Sequence, residues 1–235
     1  MENRVILVTG GTKGIGKAIC LKFAQMGFSV ATFGRDINAI NALKSSLSEI
    51  GKPFIVDKCD ATKRKDIQRF FETCVQTFSH IDVLVNNVGV FIPGKIQEED
   101  DDTFTLMMET NLNATYYFSK LSIPYLKKSH KACMFNICST ASIKPYNNGG
   151  TYCISKYAQY GLTKVLREEL KEDNISVTAV LPGATLTDSW AGTDLPSSRF
   201  LKPESIAEMI AAGYNLPKGT VMEDIILRPM EGDIE

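Results

Sequence analysis

Short apolar runs alternate with longer stretches of mixed polarity from one end of the chain to the other. The runs are Val5-Ile6-Leu7-Val8, Ser29-Val30-Ala31-Thr32-Phe33, Pro53-Phe54-Ile55-Val56, Val83-Leu84-Val85, Ala132-Cys133-Met134-Phe135-Asn136-Ile137, Ile175-Ser176-Val177-Thr178-Ala179-Val180 and Ile225-Ile226-Leu227. Several are continuous rather than alternating in polarity, as expected of parallel strands covered on both faces. Between them, apolar positions recur at helical spacing over 15–27, 37–50, 63–78, 101–128, 151–172 and 203–215. Strand and helix in alternation predict an α/β fold: a doubly wound, Rossmann-like parallel sheet of about seven strands, helices on both faces, joined by right-handed crossovers. No linker, low-complexity tract or repeat divides the chain, and Pro and Gly gather only in short turns and between Pro182 and Pro203. One domain over 1–235 is the economical reading, near the upper size for a single core.

Composition narrows the function classes. A hydrophobic fraction of 44% supplies a large core, and a net charge of -1 gives no field for nucleic acid. The acidic run Glu98-Glu99-Asp100-Asp101-Asp102 reads as a helix start, where carboxylates suit the positive end of the dipole. The six cysteines form no C-x-x-C pair, and with two histidines no metal site is expected. The N-terminus runs straight into a strand without a signal-peptide pattern, and no apolar stretch is long enough to span a bilayer. A cytoplasmic, reducing setting with no membrane partner is the resulting expectation.

Chemistry enters at Thr9-Gly10-Gly11-Thr12-Lys13-Gly14-Ile15-Gly16, between the first strand and a helix beginning around Lys17. A strand, a glycine-rich turn and a helix N-terminus make a pyrophosphate cradle: missing side chains let the backbone approach, and free amides with the helix dipole meet the anion. The spacing is T-G-x-x-x-G-x-G rather than G-x-G-x-x-G. It resembles the glycine motif of the short-chain dehydrogenase/reductase family, in its single-domain branch. Asn86-Asn87-Val88-Gly89 is similar to that family's N-N-A-G turn, departing at Val88, and Tyr152-Cys153-Ile154-Ser155-Lys156 matches its Y-x-x-x-K. Ser139, thirteen residues before Tyr152, and Asn111 in the preceding helix complete the match, which runs to Pro182-Gly183 and Thr187 and then weakens.

The resemblance implies an oxidoreductase that moves hydride between a nicotinamide and a carbonyl or secondary alcohol, a ketone or 3-oxoacyl-type substrate. Tyr152 is its proton donor, Ser139 stabilises charge on the carbonyl oxygen, and Lys156 binds the nicotinamide ribose and depresses the pKa of Tyr152. The Asn111 backbone carbonyl holds a water leading from Lys156 to solvent. Cofactor contacts carry over to Gly10, Thr12, Lys13, Gly14, Ile15, Gly16, Arg35, Asp60, Ala61, Asn87, Gly89, Tyr152, Lys156, Pro182, Gly183 and Thr187. Asp60 and Ala61 match the position that meets the adenine, and no metal is required.

Selection between NAD and NADP falls at the ribose 2′ position. Gly34 fills the slot where NAD-preferring relatives carry Asp, Arg35 comes next, and Lys13 offers a second cation. Two cations aimed at one phosphate predict NADP(H) over NAD(H), unless Asp36 neutralises Arg35. The stretch 187–202 corresponds to a substrate lid, short here, with Trp190 and Phe200 available to close over an apolar substrate or to pack on the core. Cys138 and Cys153 adjoin two catalytic positions, and both read as small apolar filler rather than as a redox switch. Enoyl reductases of this fold use a wider Tyr-to-Lys spacing, and sugar-nucleotide epimerases a different glycine loop. The rival reading is a non-catalytic NADP(H)-sensing protein, which would be marked by loss of Tyr, Lys or Ser. Family members commonly form homodimers or homotetramers through the helices at 101–128 and 151–172, where Tyr116, Tyr117, Phe118, Tyr160 and Leu162 supply apolar surface.

Overall fold

A computed structural model describes residues 4–234. Seven parallel strands form one sheet: β1 (Val5–Val8), β2 (Ser29–Gly34), β3 (Phe54–Lys58), β4 (Val83–Asn86), β5 (Cys133–Ile137), β6 (Ser176–Pro182) and β7 (Asp224–Leu227). Their order is 3-2-1-4-5-6-7. All pairings are parallel, with Leu7 opposite Ala31 on one side and Leu84 on the other. The strand order reverses between β1 and β4, and a crevice opens there beyond the carboxyl ends of the strands.

Successive strand residues point to opposite faces, so each strand feeds two cores. Ile6, Val8, Val30, Val83 and Val85 pack with Phe23 of α1 (Gly14–Gln25), Leu43 of α2 (Ile37–Ile50) and Ile210 of α7 (Pro203–Asn215). Val5, Leu7, Ala31, Phe33 and Leu84 face Phe70 of α3 (Arg64–Phe78), Phe118 of α5 (Ala114–Leu126) and Leu166 of α6 (Gly150–Glu169). Phe118 stacks on Phe33 at 5.4 Å and meets Phe70 edge-on, so it belongs to the core and not to an outer face. That corrects its expected place among surface residues for association; Tyr116 is exposed, and Tyr117 lies under the Arg64 guanidinium at 4.0 Å.

The ends of the helices reflect local chemistry. Asp36 caps α2 by accepting from Asn38 N and Ala39 N, and Gly51 closes it in the left-handed conformation. The helix expected over 101–128 is interrupted. It comprises α4 (Asp101–Met107), a π-helical segment (Met108–Asn113) and α5. One inserted residue in a helix re-aims the side chains beyond it, a device frequent at functional sites, and this segment contains Asn111. No helix among the described residues is long and apolar enough to cross a membrane.

Candidate active site

The glycine loop and the turn after β4 are laced together. Thr9 Oγ1 accepts from the Asn87 and Val88 amides at 2.9 and 3.0 Å, and Asn87 Nδ2 donates to the carbonyls of Thr9 and Gly10 at 3.0 Å each. α1 starts at Gly14 rather than near Lys17. A β-carbon at Gly16 would lie 2.5 Å from both Gly10 O and Asn87 Nδ2, so no larger residue lets the loop close over the helix start. Gly10 and Gly14 take positive φ of 64° and 50°, and Thr187 Cγ2 would stand 3.0 Å from a β-carbon at Gly14. These residues form a backbone cradle of the size and polarity that a pyrophosphate needs.

At the end of β2, a β-carbon on Gly34 would come within 2.3 Å of Thr12 Oγ1, so an Asp fits there only if Thr12 moves. Asp36 does not neutralise Arg35. It pairs with Lys13 at 3.1 Å, and Asp188 meets the same ammonium at 3.3 Å. Those carboxylates hold the exposed Lys13 above the usual lysine range. Among the described residues Arg35 has no ion-pair partner. Asp60 accepts from the Thr62 amide and hydroxyl at 3.1 and 2.8 Å, next to buried Ala61. Burial works against its charge, yet the Thr62 bonds hold the carboxyl below the usual range.

The second half of the site gathers around a cavity of about 540 Å³ between the ends of β4, β5 and β6. Of the expected residues, Ile15, Asn87, Gly89, Ser139, Tyr152, Lys156, Pro182, Gly183 and Thr187 line it. The remaining cradle and ribose-side residues (Gly10, Thr12, Lys13, Gly14, Gly16, Arg35, Asp60 and Ala61) lie outside its lining, and Asn111 is fully buried behind it. Ser139 lies two residues beyond the end of β5, and its hydroxyl accepts from Ala141 N at 3.1 Å. Half-buried Tyr152 sits two positions into α6, one turn before Lys156, with the Phe91 ring edge-on at 4.8 Å. Burial pushes the Tyr152 phenol up to about 12, and a hydrogen bond with Ser139 opposes that rise.

Lys156 is 4% exposed, and its Nζ lies 6.0 Å from the Tyr152 ring centroid. Burial lowers its pKa to about 8. Nζ donates to the Ile137 carbonyl and to Gln159 Oε1, both at 2.9 Å. The Asn111 carboxamide is committed to structure: Oδ1 accepts from Val90 N at 2.8 Å, and Nδ2 reaches Val90 O at 3.0 Å and Ser155 Oγ at 2.9 Å. It thereby ties the loop after β4 to α6. Its backbone carbonyl accepts from Thr115 Oγ1 at 3.0 Å.

Several residues of the site had no expectation attached to them. Phe91 and Tyr146 line the cavity, as do Asp233 and Ile234 from the C-terminal end. That end is drawn in by Arg199, which donates to Gly232 O and Asp233 O at 2.9 and 3.0 Å, and by Arg228, whose Nε reaches the Asp233 carboxylate at 3.1 Å. Nothing local in 228–234 signals this return. In the lid stretch, Trp190 lines the cavity while Phe200, 6% exposed, packs behind it at 5.1 Å, so the two aromatics divide the two expected fates. Cys138 and Cys153 are buried free thiols, both pushed up by burial, and neither is held as a reactive thiolate.

The likeness to known proteins agrees with this geometry. A family model described as short chain dehydrogenase matches residues 4–195. A sepiapterin reductase of Chlorobaculum tepidum is 33% identical over 239 aligned positions, covering 98% of this chain and 98% of that protein. An alcohol dehydrogenase from the archaeon Thermococcus sibiricus, solved with 5-hydroxy-NADP, superposes with a TM-score of 0.92 at 26% identity over 100% of both chains. A metagenomic short-chain oxidoreductase in complex with NADP does so with a TM-score of 0.84 at 26% identity over 97% of each. With its glycine cradle, its Ser139–Tyr152–Lys156 wall and these likenesses, the chain belongs to the short-chain dehydrogenase/reductase family of oxidoreductases.

Proposed function

We propose that this protein is an NADP(H)-dependent carbonyl reductase and alcohol dehydrogenase whose reacting residues are Ser139, Tyr152 and Lys156, supported by Asn111. The observation that carries this reading is the convergence of the three side chains on one cavity, with Lys156 buried and its Nζ 6.0 Å from the Tyr152 ring centroid. Bound NADPH supplies the hydride. Tyr152, held protonated by burial, gives its proton to the carbonyl oxygen, and Ser139 hydrogen-bonds the same oxygen as charge develops on it. Lys156 binds the nicotinamide ribose and, with its positive charge, lowers the pKa that burial has raised. In alcohol oxidation the same groups act in reverse, with Tyr152 as base.

For the cofactor, Gly10, Gly14 and Gly16 with Thr12 and Ile15 take the pyrophosphate, Asp60 and Ala61 the adenine, and Asn87, Gly89, Pro182, Gly183 and Thr187 the nicotinamide half. Arg35 selects the 2′-phosphate, and Lys13 joins it by exchanging its contacts with Asp36 and Asp188 for the phosphate. The NADP complexes of the two similar structures support that choice, as does the steric closure of position 34. The largely apolar cavity, walled by Phe91, Tyr146 and Trp190, favours ketones with apolar substituents.

The test is NADPH consumption across ketones, aldehydes, diketones, 3-oxoacyl thioesters, quinones and sepiapterin, the last taken from the name of the Chlorobaculum relative. Tyr152→Phe is expected to lower turnover by about 100- to 10,000-fold while NADPH still binds. Wild-type turnover in that variant would overturn the reading.

A further inference from the structure

Gln159 is fully buried on the sheet side of α6, three residues beyond Lys156. Residues three apart on a helix share a face, and a carboxamide on a buried face costs desolvation unless both of its ends are bonded. Both ends are. Oε1 accepts from Lys156 Nζ at 2.9 Å, and Nε2 donates to Thr115 Oγ1 at 2.9 Å. Thr115 is itself buried and donates to the Asn111 carbonyl at 3.0 Å. A continuous path of three hydrogen bonds therefore runs from the ammonium through Gln159 and Thr115 to the π-helical segment. Its direction is defined: Gln159 cannot rotate its carboxamide without putting its NH₂ group against the ammonium.

We propose that Gln159 is a positioning residue for Lys156: its carboxamide, braced from behind by Thr115, holds the ammonium beside Tyr152 and stabilises its charged form. Two of the three ammonium hydrogens are committed to Ile137 O and Gln159 Oε1, leaving the third for the ribose. That last consequence rests on the function proposed above; the hold on Lys156 does not. From the elements packed around Lys156, the titratable groups that face it are Tyr152 of α6 and Cys138 at the end of β5. Asn111 and Gly89 on the other side carry no charge. No carboxylate stands among them to hold the lysine protonated, so the neutral acceptors Gln159 Oε1 and Ile137 O, both at 2.9 Å, oppose burial, and Gln159 is the one of the two that a side-chain substitution removes.

The experiment is an NMR titration of the Lys156 ε-carbon in protein labelled with ¹³C-lysine and free of cofactor. The resonance is identified by its loss in Lys156→Met. Gln159→Leu removes the acceptor at similar volume and is expected to lower the ammonium-to-amine ratio about tenfold at a given pH, moving the midpoint down. Gln159→Glu keeps an acceptor and adds negative charge, so its midpoint moves up. An unchanged midpoint in both variants, or a shift of the same sign in both, would overturn the proposal. Should Gln159→Leu fail to fold, the nearly isosteric Gln159→Glu decides by itself: a midpoint at or below the wild-type value overturns the proposal. The titration needs neither cofactor nor turnover, so its outcome is independent of the Tyr152→Phe result. With substrate, Gln159→Leu is also expected to displace the acid limb of alcohol oxidation to higher pH, because Tyr152 loses part of its neighbouring charge.

Discussion

Lys156 shows how one buried charge is tolerated. Its surroundings lower its pKa from 10.5 to about 8, so the folded protein binds fewer protons than the unfolded chain between those values. Stability then rises with pH across the same window, since the cost of burying the charge is present below pH 8 and relieved above it. Lys156→Met removes this titration but leaves Gln159 Oε1 and Ile137 O without their donor at every pH. The difference in unfolding free energy, variant minus wild type, is therefore expected to fall by about 3 kcal/mol between pH 8 and 10.5. Denaturant melts of both proteins at a series of pH values measure it, and a difference independent of pH would show that the lysine is not held in a desolvated state. The motif residues themselves were readable because the chemistry demands particular types at close spacing. Gln159 was not, because a glutamine on a helix ordinarily faces water.

At the scale of the element, the helix that carries Tyr152 and Lys156 depends on a distant loop. The acidic run at the start of α4 behaves in part as its sequence implies, since Asp100 caps α4 by accepting from Thr103 N at 2.7 Å. Glu99, however, turns away and caps α6. Its carboxylate accepts from Thr151 N at 3.1 and 3.2 Å and from the Thr151 hydroxyl, one residue before Tyr152. Gly94 N donates to Asn148 O at 2.9 Å and fastens the same loop to the helix entry. Glu99→Ala is expected to cost about 1–2 kcal/mol and to raise amide exchange in the first turn of α6 while leaving α4 protected. Hydrogen exchange resolved to these two helices tests it; equal loosening of both would refute the separate assignment. Spacing along the chain places Glu99 at a helix start, but the helix it serves begins some fifty residues later.

For the molecule as a whole, cofactor choice is a matter of what binds the native state and by how much it stabilises it. At matched concentrations near a hundred times its dissociation constant, NADP⁺ is expected to add about 2.7 kcal/mol to the unfolding free energy. NAD⁺ should add less, and the gap should close in Arg35→Ala combined with Lys13→Ala. Thermal melts with each nucleotide measure this, and an equal gain from NAD⁺ would set aside the role given to the two cations. By itself, the sequence determined the order of strands and helices, the glycine cradle and the Tyr152–Lys156 pair. Each of these depends on residues within a few positions of one another, through side-chain period, turn conformation or helical spacing. The tertiary structure alone decided that Asp36 and Asp188 take Lys13, that Glu99 caps α6, that Gln159 holds Lys156, and that Arg199 and Arg228 draw the C-terminal end against the cavity. Those contacts join residues that are mostly far apart in the chain, and a polar side chain that would otherwise bond to water meets its partner only when the fold brings the two within reach.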